Sequence, residues 1–478
     1  MSRPSAIPRN LTSALCQFIF PFSLKQQCDE ALIPILIDDG YIPFHLDDVS
    51  QQNAYYGESC SVSHQRMERY YLPHTGCVLF PRTDSRDAFR RFSRKLDQSC
   101  ILKTAQHHIP FRILSADVVL CPFDLGFITI RTELTEPEID YSTALEFAAR
   151  FRVLEDVSLK DDITSVEADG KVYEEVEDFV FKVIAGGLLP YLDKSGTEGA
   201  YFETLPFFVD ERMYVQAFYQ FHEEDDISNV ELYRGLQMDG VDVEGKPSVS
   251  ANNMEYIEQY VQDHAYKRWG PDTYYVSNEN TFCCLTRAGE SKGIMFANQM
   301  YGEYYYGLLL SLFQKIALLK LANRYSAVDV ERDVVALRRL IRLITKFSSK
   351  YYFPELASQS QGKEIFIQLR QVLGIPALYD DVKKTLEDLF KYQDSFQSKG
   401  QNDLLMILTL YSVVGGIYGM NQVIEDLKGD VGWSSMLDYS VFEYLALFVV
   451  LSGLVVGFGL SLLVFKNWRK ARIARKDE

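Results

Sequence analysis

Apolar runs rich in β-branched and aromatic residues punctuate the first 300 positions. Ala31 to Ile37, Phe111 to Leu120, Phe127 to Thr132, Phe207 to Phe221 and Tyr274 to Leu285 each predict a strand. Helical spacing between them predicts helices over Asp87 to Leu96 and Ser142 to Leu154, and the polar stretches Glu223 to Gly240 and Ser195 to Ala200 predict loops. Residues 1–300 therefore read as a mixed α/β domain without an internal repeat. From about residue 301 the period lengthens. Val330, Val334, Leu337, Ile341 and Ile344 step by four, three, four and three, a seam for helix-on-helix packing. Val382, Leu386, Leu389 and Phe396 repeat the steps, with Gln393 as a polar interruption. Pro376 stands where a helix can begin. No second proline intervenes before Met420, so one continuous helix of more than about 60 Å is possible there, at about 1.5 Å per residue.

The C-terminal end carries the strongest pattern. Leu404 to Met420 is free of charge and Tyr444 to Phe465 is uncharged and apolar, so both meet the length of a transmembrane helix, the first narrowly. Between them Glu425, Asp426, Asp430 and Asp438 face a single Lys428. The tail after Phe465 holds Lys466, Arg469, Lys470, Arg472, Arg475 and Lys476. Positive residues mark the cytosolic side. Two spans return the chain to its starting side, so the N-terminal domain is expected in the cytosol and the short acidic loop outside. The expected fold class is an α/β cytosolic domain followed by long helices and two C-terminal transmembrane helices. Its divisions are a domain at 1–300, a helical stalk at 301–401, a first span at 402–421, a loop at 422–440, a second span at 441–465 and a basic tail at 466–478.

Composition narrows this further. The net charge of −17 argues against a nucleic-acid partner, because phosphate neutralisation needs a concentrated basic surface and only Arg86 to Lys95 hints at one. An acidic body suits cations. The 8 cysteines lack paired C-x-x-C spacing, which indicates neither a zinc site nor a disulfide framework and fits a reducing cytosol. Arg3 and Arg9 before Leu15 to Phe22 imitate a signal peptide, but Gln17 and Pro21 interrupt the run and no small-residue cleavage site follows, so no secretory signal is expected.

Thr409, Ser412 and Gly416 fall on one face of the first span. Small polar faces in lipid either line water or let helices approach closely, and the residues alone leave both open. Gly453 and Gly457 form a G-x-x-x-G in the second span, which reads as packing. The first span closes on Tyr418-Gly419-Met420-Asn421. In this setting, after a tyrosine, ending the penultimate span and before a short outer loop, the chain resembles the CorA family of divalent-cation channels, whose signature is G-M-N at that place. The resemblance covers about residues 377–470. The acidic-proline stretch that often follows the signature is replaced here by Gln422 to Asp426, and the N-terminal domain is larger than usual.

The resemblance implies a homo-oligomer, a pentamer, with the first span lining a pore in an inner or plasma membrane and both termini cytosolic. Mg²⁺ is the ion it points to first, as cargo and as a regulator, with no organic cofactor. Five Asn421 carbonyls would form a neutral ring that hydrogen-bonds the waters of a hydrated ion, which suits Mg²⁺ because it dehydrates reluctantly. Glu425, Asp426 and Asp430 would concentrate cations at the mouth or be a solvated loop face. Asp380, Asp381, Glu387 and Asp388 on the long helix would hold regulatory divalent ions between subunits or be a solvated helix face. Adjacent His107 and His108 point to opposite sides of a strand, and Cys283-Cys284 reads as core. No nucleophile–base constellation is visible, so an enzyme is not expected. The expected function is a divalent-cation channel driven by the membrane potential. The alternative is a signal-gated membrane effector that uses such a pore with its enlarged cytosolic domain as ligand sensor.

Overall fold

The computed structural model describes residues 6–391, apart from 27, 84, 137, 155–163, 194–211 and 328–333, together with scattered positions between 405 and 458. Among these, twelve strands share one sheet: β1 Asn10–Ser23, β2 Ile42–Pro43, β3 Arg90–Lys103, β4 His108–Cys121, β5 Leu125–Leu134, β6 Ile139–Asp140, β7 Ser165–Ala168, β8 Lys171–Tyr173, β9 Tyr214–Phe221, β10 Ala265–Tyr266, β11 Thr273–Ser277 and β12 Thr281–Thr286. The order across it is β10-β11-β12-β9-β1-β5-β4-β3-β7-β8, with β2 on β3 and β6 on β1. β9 and β12 run parallel; the other pairs are antiparallel. The helices are α1 Asp29–Asp38, α2 His64–Tyr70, α3 Pro73–Leu79, α4 Tyr141–Phe151, α5 Val176–Phe179, α6 Asn229–Gln237, α7 Met254–His264, α8 Glu290–Tyr301, α9 Glu303–Ala327, α10 Val334–Lys350 and α11 Ser360–Val372. Positions 375–391 are helical as well. The chain thus builds a mixed α/β sheet domain followed by helices.

The stretch Leu15 to Phe22 that imitates a signal peptide is the middle of β1. Strand alternation sends Cys16, Phe18, Phe20 and Phe22 into the main apolar core, where Phe18 meets Phe151 of α4 at 4.7 Å between ring centroids. Each such fully buried phenylalanine contributes about 1.5–3 kcal/mol. Pro21 is tolerated in a central strand because the pairing of β1 with β9 stops at Ile19 and Tyr214, so that among the described strands β5 alone pairs with β1 at Pro21. The other face of β1 carries Gln17, which bonds to the Met300 carbonyl and so lies against α8.

Three expectations fail. Ala31 to Ile37 is not a strand but lies within α1. Asp29 and Glu30 suit its first turn, and Leu32 and Leu36, four residues apart, bury its one apolar stripe. Asp87 to Leu96 is not a helix: from Arg90 onward it belongs to β3, which pairs with β4 across most of its length. The polar segment Glu223 to Gly240 is not all loop, since α6 starts there on a capping box of Ser228 and Glu231.

The long-helix region differs in detail. The buried stripe of α10 is Leu337, Leu340, Ile344 and Phe347, one position away from the seam through Ile341, which is half-buried. Val382 and Leu389 are buried as the spacing predicts. One described helical run, Glu290–Ser326, is apolar and long enough to cross a membrane, yet 83% of its most apolar window is buried. Helices apolar all round are either spans or cores, and this one is core. Gly307 of α9 makes the fit with α11, since a Cβ there would stand 1.9 Å from Phe366. Gly307→Ala is expected to cost about 1–3 kcal/mol through overpacking. It should lower the thermal midpoint of the purified chain, and an unchanged midpoint would show that α11 yields freely.

Residues 1–384 and 385–478 form two compact units. In the second, positions 405, 406, 408, 409 and 412 are helical, as are 441, 444, 445, 448, 451, 452, 455 and 458. Large apolar side chains among them are exposed, including Met406, Phe448, Val455 and Phe458.

Candidate functional site

Of the residues assigned to the pore, Thr409 and Ser412 are helical and exposed. The Thr409 hydroxyl donates to the Leu405 carbonyl at 2.7 Å, so its polarity is already met within its own helix. Gly416, Tyr418, Gly419, Met420 and Asn421 lie outside the described residues, as do Glu425, Asp426 and Asp430. Asp380, Asp381, Glu387 and Asp388 are exposed on the helix over 375–391; Asp388 accepts from Lys391 at 3.3 Å. The two acidic pairs stand seven residues apart, about 10 Å along a helix, too far for one ion to bridge within a chain. Among the described residues no group of three or more His, Cys, Asp or Glu is placed to hold a metal. Cys283 and Cys284 are both fully buried.

The sheet face beneath α8 and α9 holds what the sequence reading missed. Asp117 of β4 is fully buried and receives Arg131 of β5 at 2.6 Å and Arg91 of β3 at 2.9 Å. Arg131 also donates to Gln17 of β1 at 3.0 Å and to Ser115 at 3.3 Å. Gln17 donates to Gln216 of β9 at 3.1 Å, and Gln216 to the Met300 carbonyl at 2.8 Å. Five adjacent strands and α8 are thereby joined by one polar network. Aromatic rings close it: Arg91 lies 4.1 Å over Phe44, Arg131 lies 5.0 Å over Tyr305, and the hydroxyls of Tyr56 and Tyr306 accept from Arg91.

Two guanidiniums thus share one carboxylate in the interior, an arrangement that is stable only when every charge keeps its partner. Burial alone would push the Asp117 carboxyl up, but Arg131 and Arg91 overcome it and hold it below the ordinary carboxylate value. A carboxylate with a depressed folded value stabilises above its unfolded value, about 3.9, and loses that contribution as pH falls through the folded one. Thermal midpoints measured against pH should therefore drop steeply below about pH 4. A flat profile through that range would disconnect Asp117 from stability.

The signal was present in the sequence as charges inside apolar runs, Asp117 in Phe111 to Leu120 and Arg131 in Phe127 to Thr132. At one end of this face two polar clefts, of about 430 and 490 Å³, share Arg112 as a wall. Arg112 is itself engaged, donating to Glu133 at 2.5 Å and to Asp97 at 3.3 Å. No family model, curated protein or solved structure matches the chain.

Proposed function

We propose that this protein is a CorA-like divalent-cation channel of the inner or plasma membrane, driven by the membrane potential, with Mg²⁺ as its first candidate ion. The observation that carries the reading is Tyr418-Gly419-Met420-Asn421 at the end of the penultimate apolar segment, followed by an acidic loop, a last apolar segment and a basic tail. Helical positions that expose Leu405, Met406, Leu408, Leu445, Phe448 and Leu451 support it, since such surfaces suit lipid. In this reading a homopentamer surrounds the pore, and both termini are cytosolic. A divalent ion gains on the order of 4–5 kcal/mol per 100 mV, so no nucleotide hydrolysis is required.

The test is uptake of Mg²⁺, Zn²⁺, Co²⁺ and Ni²⁺ into proteoliposomes under an inside-negative potential. Selective uptake is expected. Correctly inserted protein that passes none of them would overturn constitutive transport and favour the second reading, a signal-gated effector. That reading is supported by the size of the sheet domain and the polar clefts beside Arg112, which offer more surface than an anchor or a pore support needs.

A further inference from the structure

The outer face of α10 is a charge anomaly. From Val334 to Lys350 the helix carries Arg338, Arg339, Arg342, Lys346 and Lys350 and no acid, on a chain of net charge −17 whose remainder therefore stands at −22. Lys346 and Lys350 are engaged by Asp87. Arg338, Arg339 and Arg342 are exposed. Among the described residues no acid pairs with these three, and none of the described cations pairs with Asp380 or Asp381, which are exposed on the helix over 375–391. The acids just before α10, Asp329, Glu331 and Asp333, lie outside the described residues.

These two groups cannot meet within one chain. Tyr352, just past the C-terminal end of α10, stacks on Tyr379 at 3.5 Å between centroids, so Asp380 and Asp381 start beside that end. Arg342 lies ten residues earlier and Arg338 fourteen, roughly 15–20 Å along the helix. An arginine side chain does not span that.

We infer that the basic face of α10 docks on the Asp380–Asp381 face of a second copy of this chain. The contact pairs two different patches, and around the proposed homo-oligomer it repeats head to tail from copy to copy. The alternative two-fold pairing of α10 with itself would set arginine against arginine. This inference rests on the proposed homo-oligomer and names its contact; it does not require that any ion passes.

The test is the mass of the full chain in lipid nanodiscs, read by mass photometry at low and high salt, apart from any flux measurement. Wild-type protein is expected to assemble and to loosen as salt screens the contact. The variant R338E/R339E/R342E is expected to raise the dissociation concentration by about tenfold or more, and adding D380R/D381R to it should restore assembly. R338Q/R339Q/R342Q serves where charge reversal disturbs folding, and is expected to weaken assembly without abolishing the fold. A monomeric wild type, assembly indifferent to all three arginines, or a loss that D380R/D381R does not restore would each overturn the inference. So would an unchanged mass with lost binding to phosphatidylglycerol vesicles, which would assign the arginines to lipid.

Discussion

Asp117→Ala is expected to destabilise the sheet domain by about 3–5 kcal/mol, because it leaves two buried guanidiniums without a counter-charge. The comparison with Arg131→Met sharpens the expectation. Removing Arg131 leaves Arg91 and Asp117 as a neutral pair at 2.9 Å, whereas removing Asp117 leaves two like charges on β3 and β5, the strands that flank β4, beneath Tyr305 and Tyr306. The acid should therefore matter more than either base, although all three side chains are buried. Urea unfolding of the purified chain measures the difference, with the midpoint reporting stability. Equal losses for the two variants would mean that the site's cost lies in packing rather than in charge. Asp117→Asn separates the two further: it keeps the volume and removes the charge, and it should resemble the alanine variant more than the wild type.

Asn421→Ala is expected to abolish cation uptake into proteoliposomes while leaving the melting curve of the sheet domain unchanged. The reason is chemical. A hydrated divalent ion keeps its inner waters unless the pore replaces them, and a ring of amide carbonyls can accept hydrogen bonds from those waters without stripping them. Alanine offers no acceptor at that position. Asn421→Asp should instead bind the ion more tightly and slow its exit, because a ring of charges holds what a neutral ring releases. Uptake that persists in Asn421→Ala at the wild-type rate and selectivity would remove the G-M-N tripeptide from the mechanism and with it the resemblance on which the transport reading stands.

Apolar periodicity located the strands at Phe111 to Leu120 and Phe127 to Thr132, because a strand buried on a sheet declares itself through its own β-branched and aromatic residues; Tyr274 to Leu285, expected as one strand, folds as the hairpin of β11 and β12, broken between Ser277 and Thr281. Periodicity also located the buried positions Val382 and Leu389. It failed at α1 because a short apolar run fits helix and strand alike, and what decides is the packing: Leu32 and Leu36 are buried while Pro34, which a strand would set on their face, is exposed. It failed at β3 because the cations of Arg86 to Lys95 look like a solvated helix face, while Arg91 is in fact drawn inward by an acid 26 residues away. The capping box of Ser228 and Glu231 is legible in the sequence as a helix start within the polar segment.

By itself, then, the sequence determined where apolar segments lie, how charge is distributed about the two C-terminal ones, and which tetrapeptide closes the first of them. Only the tertiary structure decided that the apolar helix Glu290–Ser326 is a core element, that Asp117 gathers Arg91 and Arg131 beneath it, and that Arg338, Arg339 and Arg342 face outward with no acid paired to them among the described residues. Hydrophobicity and propensity are local and can be read along a chain. Burial and ion pairing are properties of two segments at once, and the second segment is known only when the chain has folded.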